Sequence, residues 1–90
     1  MDNELESLRK KIDAIDKDLL NSLAKRSKVA QQIGKLKKAQ GMPLLDEKRW
    51  QQLLDKTLNL AETMDLSKDF IKQIYHLIHQ NSLELERKSK

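Results

Sequence analysis

The chain has 90 residues, 38% hydrophobic and 36% charged, with a formal net charge of +4; a single domain of this length buries only about 60–65% of its unfolded surface, so one copy is a marginal folder. Two glycines, one proline and no cysteine exclude a turn-rich β-sandwich or barrel, a disulfide scaffold, a thiolate zinc site and a cysteine nucleophile. No apolar run approaches the ~20 residues of a membrane span, and Met1-Asp2-Asn3-Glu4 opens no signal peptide, so the expectation is one cytoplasmic, helical domain over residues 1–90 that engages no membrane.

From Leu5 onward, apolar residues fall at Leu8, Ile12, Ile15, Leu19, Leu23, Val29, Ile33 and Leu36, mostly three or four apart. This spacing predicts an amphipathic helix over about 4–40 with a near-heptad seam. Gly41 supplies a left-handed C-cap, and Pro43 prevents a restart. Such a helix would exceed ~50 Å, at 1.5 Å per residue, which no globule of this size can cover.

A second helix, about 46–64, opens at the N-cap Asp46. Leu45 before the cap and Trp50 within the first turn fit a hydrophobic staple. Its apolar face runs through Leu53, Leu54, Leu58, Ala61 and Met64. Ser67 caps a third helix, about 67–87, with Asp69 favouring its positive end. Phe70, Ile71, Ile74, Tyr75 and Ile78 form its apolar side. The expected fold is all-α: one very long helix and two short ones.

Polar residues interrupt these stripes. Arg26 shares the heptad phase of Leu5, Ile12, Leu19 and Ile33, and Lys37 lies within about 20° of it at ~100° per residue. A buried ion pair, a snorkelling side chain or an anion ligand would each account for such an arginine. Ser82 and Glu86 continue the Ile71–Tyr75–Ile78 face, with His79 on the same side. Two cations and two hydrogen-bonding groups on core-facing sides suggest an anion pocket between helices. His76 and His79 lack a third ligand at metal-binding spacing and read as surface histidines. The basic clusters Lys35/Lys37/Lys38 and Arg87/Lys88/Lys90 are short and lack interleaved aromatics, so no nucleic acid is expected as a partner.

The run Leu8-Arg9-x-x-Ile12-Asp13-x-Ile15-Asp16-x-x-Leu19-Leu20, then Ala24-Lys25-Arg26 and Ile33-Gly34-Lys35-x-Lys37, resembles the long helix of the AroQ-type (all-helical, type II) chorismate mutases. The likeness continues through Gly41-Met42-Pro43, Asp46-x-x-Arg49 and Ile78-x-x-x-Ser82-x-x-x-Glu86, so it spans roughly residues 5–86. The resemblance implies an intertwined homodimer that converts the dianion chorismate to prephenate without cofactor or metal. It also implies roles. Arg9 would reach into the partner's site, and Arg9 and Arg26 would hold carboxylates. Lys37 would contact a carboxylate and the ether oxygen. Asp46 and Arg49 would lie at the ring-hydroxyl end, Ser82 would bind a carboxylate, and Glu86 would approach the ether oxygen.

Helix geometry agrees with a composite site. Arg9 and Lys37 stand 28 positions apart, or ~42 Å along a straight helix, too far to touch one small molecule. Three departures stand out. Trp50 occupies a place where the family usually has Glu, as it does not in related isochorismate pyruvate-lyases. His79 takes a usually apolar place, and Glu86 stands where many members have Gln. The alternatives are therefore a lyase on the same fold, or a non-enzymatic helical association or nucleic-acid-binding module.

Overall fold

Asp2 to Ala39 is rich in Leu, Lys, Ala, Glu and Gln, residues of high helix propensity, and no proline interrupts it. In the computed structural model, which describes residues 2–89, this stretch is one unbroken helix, α1 (Asp2–Ala39). It starts two residues before the expected position. At its other end Gly41 adopts φ 67°. The Gly41 N–H then bonds the Lys38 carbonyl, and the Met42 N–H bonds the Lys37 carbonyl at 2.8 Å. That pair of bonds is a Schellman cap.

Helix α2 (Glu47–Thr63) is capped by Asp46, whose carboxylate accepts from the Arg49 N–H at 3.0 Å. A second Schellman cap ends it. Asp65, not a glycine, takes the left-handed conformation at φ 57°, and Leu66 N–H bonds the Ala61 carbonyl. Helix α3 (Lys68–Lys88) follows, capped by the Ser67 hydroxyl on the Phe70 N–H.

Helix α3 packs on α1 along one side and on α2 along the other. The register on α1 is set by small residues: Ala30 is buried, and Gly34 lies directly against the backbone of Glu86. Lys38 closes this contact by donating to the carbonyls of Arg87 and Ser89.

The long first half of α1 has nothing to pack on. Leu5, Leu8, Ile12, Ile15, Leu19 and Leu20 are all more than half exposed. Among the described residues, only Ala30, Leu54 and Ala61 are buried apolar side chains. The molecule measures 60 × 27 × 15 Å with a radius of gyration of 16.8 Å, against about 12 Å for a compact chain of this length. Its surface is 7618 Å², whereas a compact chain of this mass exposes about 5,400 Å². No helix among the described residues is long and apolar enough to cross a membrane.

Candidate functional site

Where the three helices converge, a cavity of about 370 Å³ opens between the second half of α1, the head of α2 and the end of α3. Val29, Ala30, Ile33, Leu44, Leu53 and Leu83 give it apolar walls. Six of the seven residues expected at a site meet there: Arg26 and Lys37 from α1, Asp46 and Arg49 from α2, Ser82 and Glu86 from α3. Arg9 does not. It lies at the far end of α1, exposed, paired with Glu6 at 3.1 Å.

One turn separates Ser82 from Glu86 on α3, and both are buried despite being polar. The Arg26 guanidinium donates to the Ser82 hydroxyl. Among the described residues it forms no salt bridge, so an internal ion pair does not account for its place on the apolar stripe. An arginine has five N–H donors in a fixed fork, and the rest of this fork is available to a carboxylate in the cavity.

Lys37 donates to the Leu44 carbonyl at 2.6 Å, which ties the segment before α2 to the end of α1. Its ammonium also lies 3.3 Å from Glu86 Oε1. The approach is an ion pair without hydrogen-bond alignment, so this buried oxygen has no hydrogen-bond partner. A carboxylate so placed is costly. It is satisfied by a donor on a ligand.

The cavity thus carries three side-chain cations, Arg26, Lys37 and Arg49, and two carboxylates, Asp46 and Glu86. One Asp46 oxygen is engaged in capping α2. The balance is positive, apolar-walled and suited to a small dianion.

Two wall residues carry more than the sequence reading gave them. The Trp50 indole stacks on the His79 imidazole at 4.0 Å between centroids, 9° from parallel. It also meets His76 edge-on at 5.5 Å. Leu45, the expected staple partner, stays 46% exposed, while Trp50 faces the cavity. His79 is likewise no surface histidine: it is half-buried and lines the cavity. Burial holds its pKa below the ordinary histidine value; Arg26, His76 and Lys37 push the same way, and only Glu86 opposes them. The signal for this wall was the pair of departures at positions 50 and 79, whose rings are in contact.

Two lysines at the end of α1 make internal contacts: Lys37 turns into the cavity and Lys38 holds the end of α3.

The family described as chorismate mutase type II matches residues 8–87. The chain is 34% identical over 86 residues to the bifunctional chorismate mutase/prephenate dehydratase of Buchnera aphidicola subsp. Schizaphis graminum, covering 96% of this chain and 22% of that protein. It is 34% identical over 82 residues to the Escherichia coli K12 protein of the same name, covering 91% and 21%. Against the T-protein of Enterobacter agglomerans it is 31% identical over 83 residues, covering 92% and 22%. The chain therefore spans about a fifth of the length of these curated relatives.

Proposed function

The chain belongs to the type II chorismate mutases, and from that membership we propose that it converts chorismate to prephenate as an intertwined homodimer. The observation that carries the reading is the convergence of Arg26–Ser82 and Lys37–Glu86 on one apolar-walled cavity. The reaction breaks the ether C–O bond as a C–C bond forms, in one concerted rearrangement. It needs neither a nucleophile nor a net proton transfer, and what accelerates it is posture and charge.

Arg26, with Ser82 behind it, holds one substrate carboxylate and so selects the compact conformer in which the two carbon ends approach. Lys37 stands at the ether oxygen, where negative charge grows as the bond breaks, and an aligned cation there lowers the barrier. Glu86, paired with Lys37, approaches the same oxygen. Arg49 and Asp46 close the ring-hydroxyl end.

A second copy supplies what one copy lacks. The surface excess of about 2,200 Å² over a compact chain coincides with the bare seam of α1, and a stable interface buries an amount of this order. Crossing two such helices covers the seam of each. It also brings Arg9 of one protomer to the other's cavity, where it takes the second carboxylate.

Trp50 at the hydroxyl end favours one competing reading, isochorismate pyruvate-lyase, because the wall there offers an indole face instead of a carboxylate acceptor. The test is to give the purified protein chorismate and isochorismate separately and identify the products. Prephenate from chorismate supports the mutase; pyruvate and salicylate from isochorismate, with chorismate unchanged, overturn it. Inertness to both, with salt-sensitive nucleic-acid binding, returns the chain to a binding role.

A further inference from the structure

His79 is the titratable cavity residue that the proposed reaction does not use. It stands one turn before Ser82 on the face of α3 that also carries Glu86 to the cavity. Stacked on Trp50 at 4.0 Å, its ring cannot swing to solvent without surrendering the indole, so it is held at the wall beside the Arg26–Ser82 pair. Charged and titratable groups face the site from all three helices. Arg26 and Lys37 come from α1, Asp46 and Arg49 from α2, and His76 and Glu86 from α3.

We propose that His79, clamped against Trp50, is an additional anion-binding group of this cavity, which takes up a proton as a dicarboxylate enters. The inference rests on the dianion reading above. In the free protein, burial and the surrounding cations hold the imidazole pKa below the ordinary histidine value. Two incoming carboxylates offset that positive field, to which the partner's Arg9 adds in the proposed dimer, and a nearby opposite charge favours the protonated ring. The indole face stabilises a cation lying over it. The arriving ligand therefore converts a neutral wall into a third positive contact at the carboxylate end.

The sign follows from linkage. The bound state holds the proton more tightly than the free state. Affinity therefore strengthens as pH falls between the two pKa values, by up to about tenfold per pH unit, and is flat outside that window.

Prephenate is the probe, because it carries both carboxylates and is the product. Calorimetric titration in two buffers of different ionisation enthalpy, near pH 6.5, counts the protons taken up. The wild-type protein is expected to take up a large fraction of one proton per site, with the His79 imidazole signal moving to the imidazolium position in NMR spectra. His79→Gln keeps a donor that does not titrate. It should still bind prephenate, with no proton uptake and a flat pH dependence. Turnover of chorismate without proton uptake overturns this inference and leaves the mutase reading intact. Uptake that persists in His79→Gln also overturns it, because the proton then resides on Glu86 or His76. If prephenate does not bind and chorismate is not turned over, both readings fall together.

Discussion

Gly34 on α1 and Glu86 on α3 meet with no side chain between them. A methyl group on Gly34 would stand 2.6 Å from both the Cα and the carbonyl oxygen of Glu86, and backbone cannot turn aside. Gly34→Ala gains up to about 1 kcal/mol of helix propensity, but overpacking at a closed contact costs about 1–3 kcal/mol. The net expectation is a lower melting temperature. Because the displaced segment carries Glu86, kcat should fall more than KM rises. Thermal melts and steady-state kinetics check the two effects separately.

Arg26 reaches Ser82 but, among the described residues, no carboxylate. In the proposed complex its anion is the substrate, so Arg26→Ala should cost roughly 2–5 kcal/mol of transition-state stabilisation. Arg26→Lys should rescue poorly, because an ammonium cannot grip a carboxylate and a hydroxyl with one planar fork. A near-wild-type kcat/KM in Arg26→Ala would return the residue to a packing role.

Arg9 lies too far along α1 to join the cavity of its own protomer. Arg9→Ala and Lys37→Ala homodimers should each be nearly inactive. When the two are mixed and allowed to exchange subunits, each heterodimer holds one site with both residues intact. Random exchange in a two-fold dimer should recover about a quarter of wild-type activity. Demonstrated exchange with no recovery would refute the composite site.

Glu86 Oε1 is buried beside Lys37 without a hydrogen-bond donor. In the proposed complex a carboxylate there repels the charge growing on the ether oxygen, whereas the amide of Glu86→Gln donates a hydrogen bond to it. Glu86→Gln should therefore keep KM near wild type and raise kcat, by up to about tenfold for one donor gained. A kcat unchanged or lowered in steady-state assays would leave Lys37 as the sole donor.

Trp50 lines the cavity wall, at what the proposed complex makes the ring-hydroxyl end. Trp50→Glu restores an acceptor at the cost of the indole stack. Relative turnover of chorismate over isochorismate should rise about fivefold, the worth of one net hydrogen bond of ~1 kcal/mol. Thermal stability should fall, since the rings of His76 and His79 lose their common partner.

The three helices were legible because each carries its own local signal. The heptad seam of α1, the Asp46 and Ser67 caps and the Gly41–Pro43 stop act within a few residues. Asp65 was harder: a break was evident after Met64, but a non-glycine residue in the left-handed conformation carries no distinctive composition. Arg26, Lys37, His79, Ser82 and Glu86 were readable as polar residues on apolar stripes; Arg49 and the site role of Asp46 came from the family resemblance alone. Their mutual contacts were not. The stack of Trp50 on His79 joins α2 to α3, and the Gly34–Glu86 approach joins α1 to α3. Both depend on how helices far apart in sequence lie against one another, which no local pattern encodes.

The unbroken α1 acts as a ruler as well as a scaffold. In the proposed dimer it fixes, in one rigid rod, the distance between the cavity a protomer builds and the cavity it completes. Inserting one residue between Arg9 and Arg26 would advance the rod by ~1.5 Å and turn everything beyond it by ~100°, pointing Arg9 away from the neighbouring site. Substitutions on the solvent side of this segment are tolerable, but changes of length are not. The span from Arg9 to Arg26 is therefore where the chain can vary in letters and must stay constant in count.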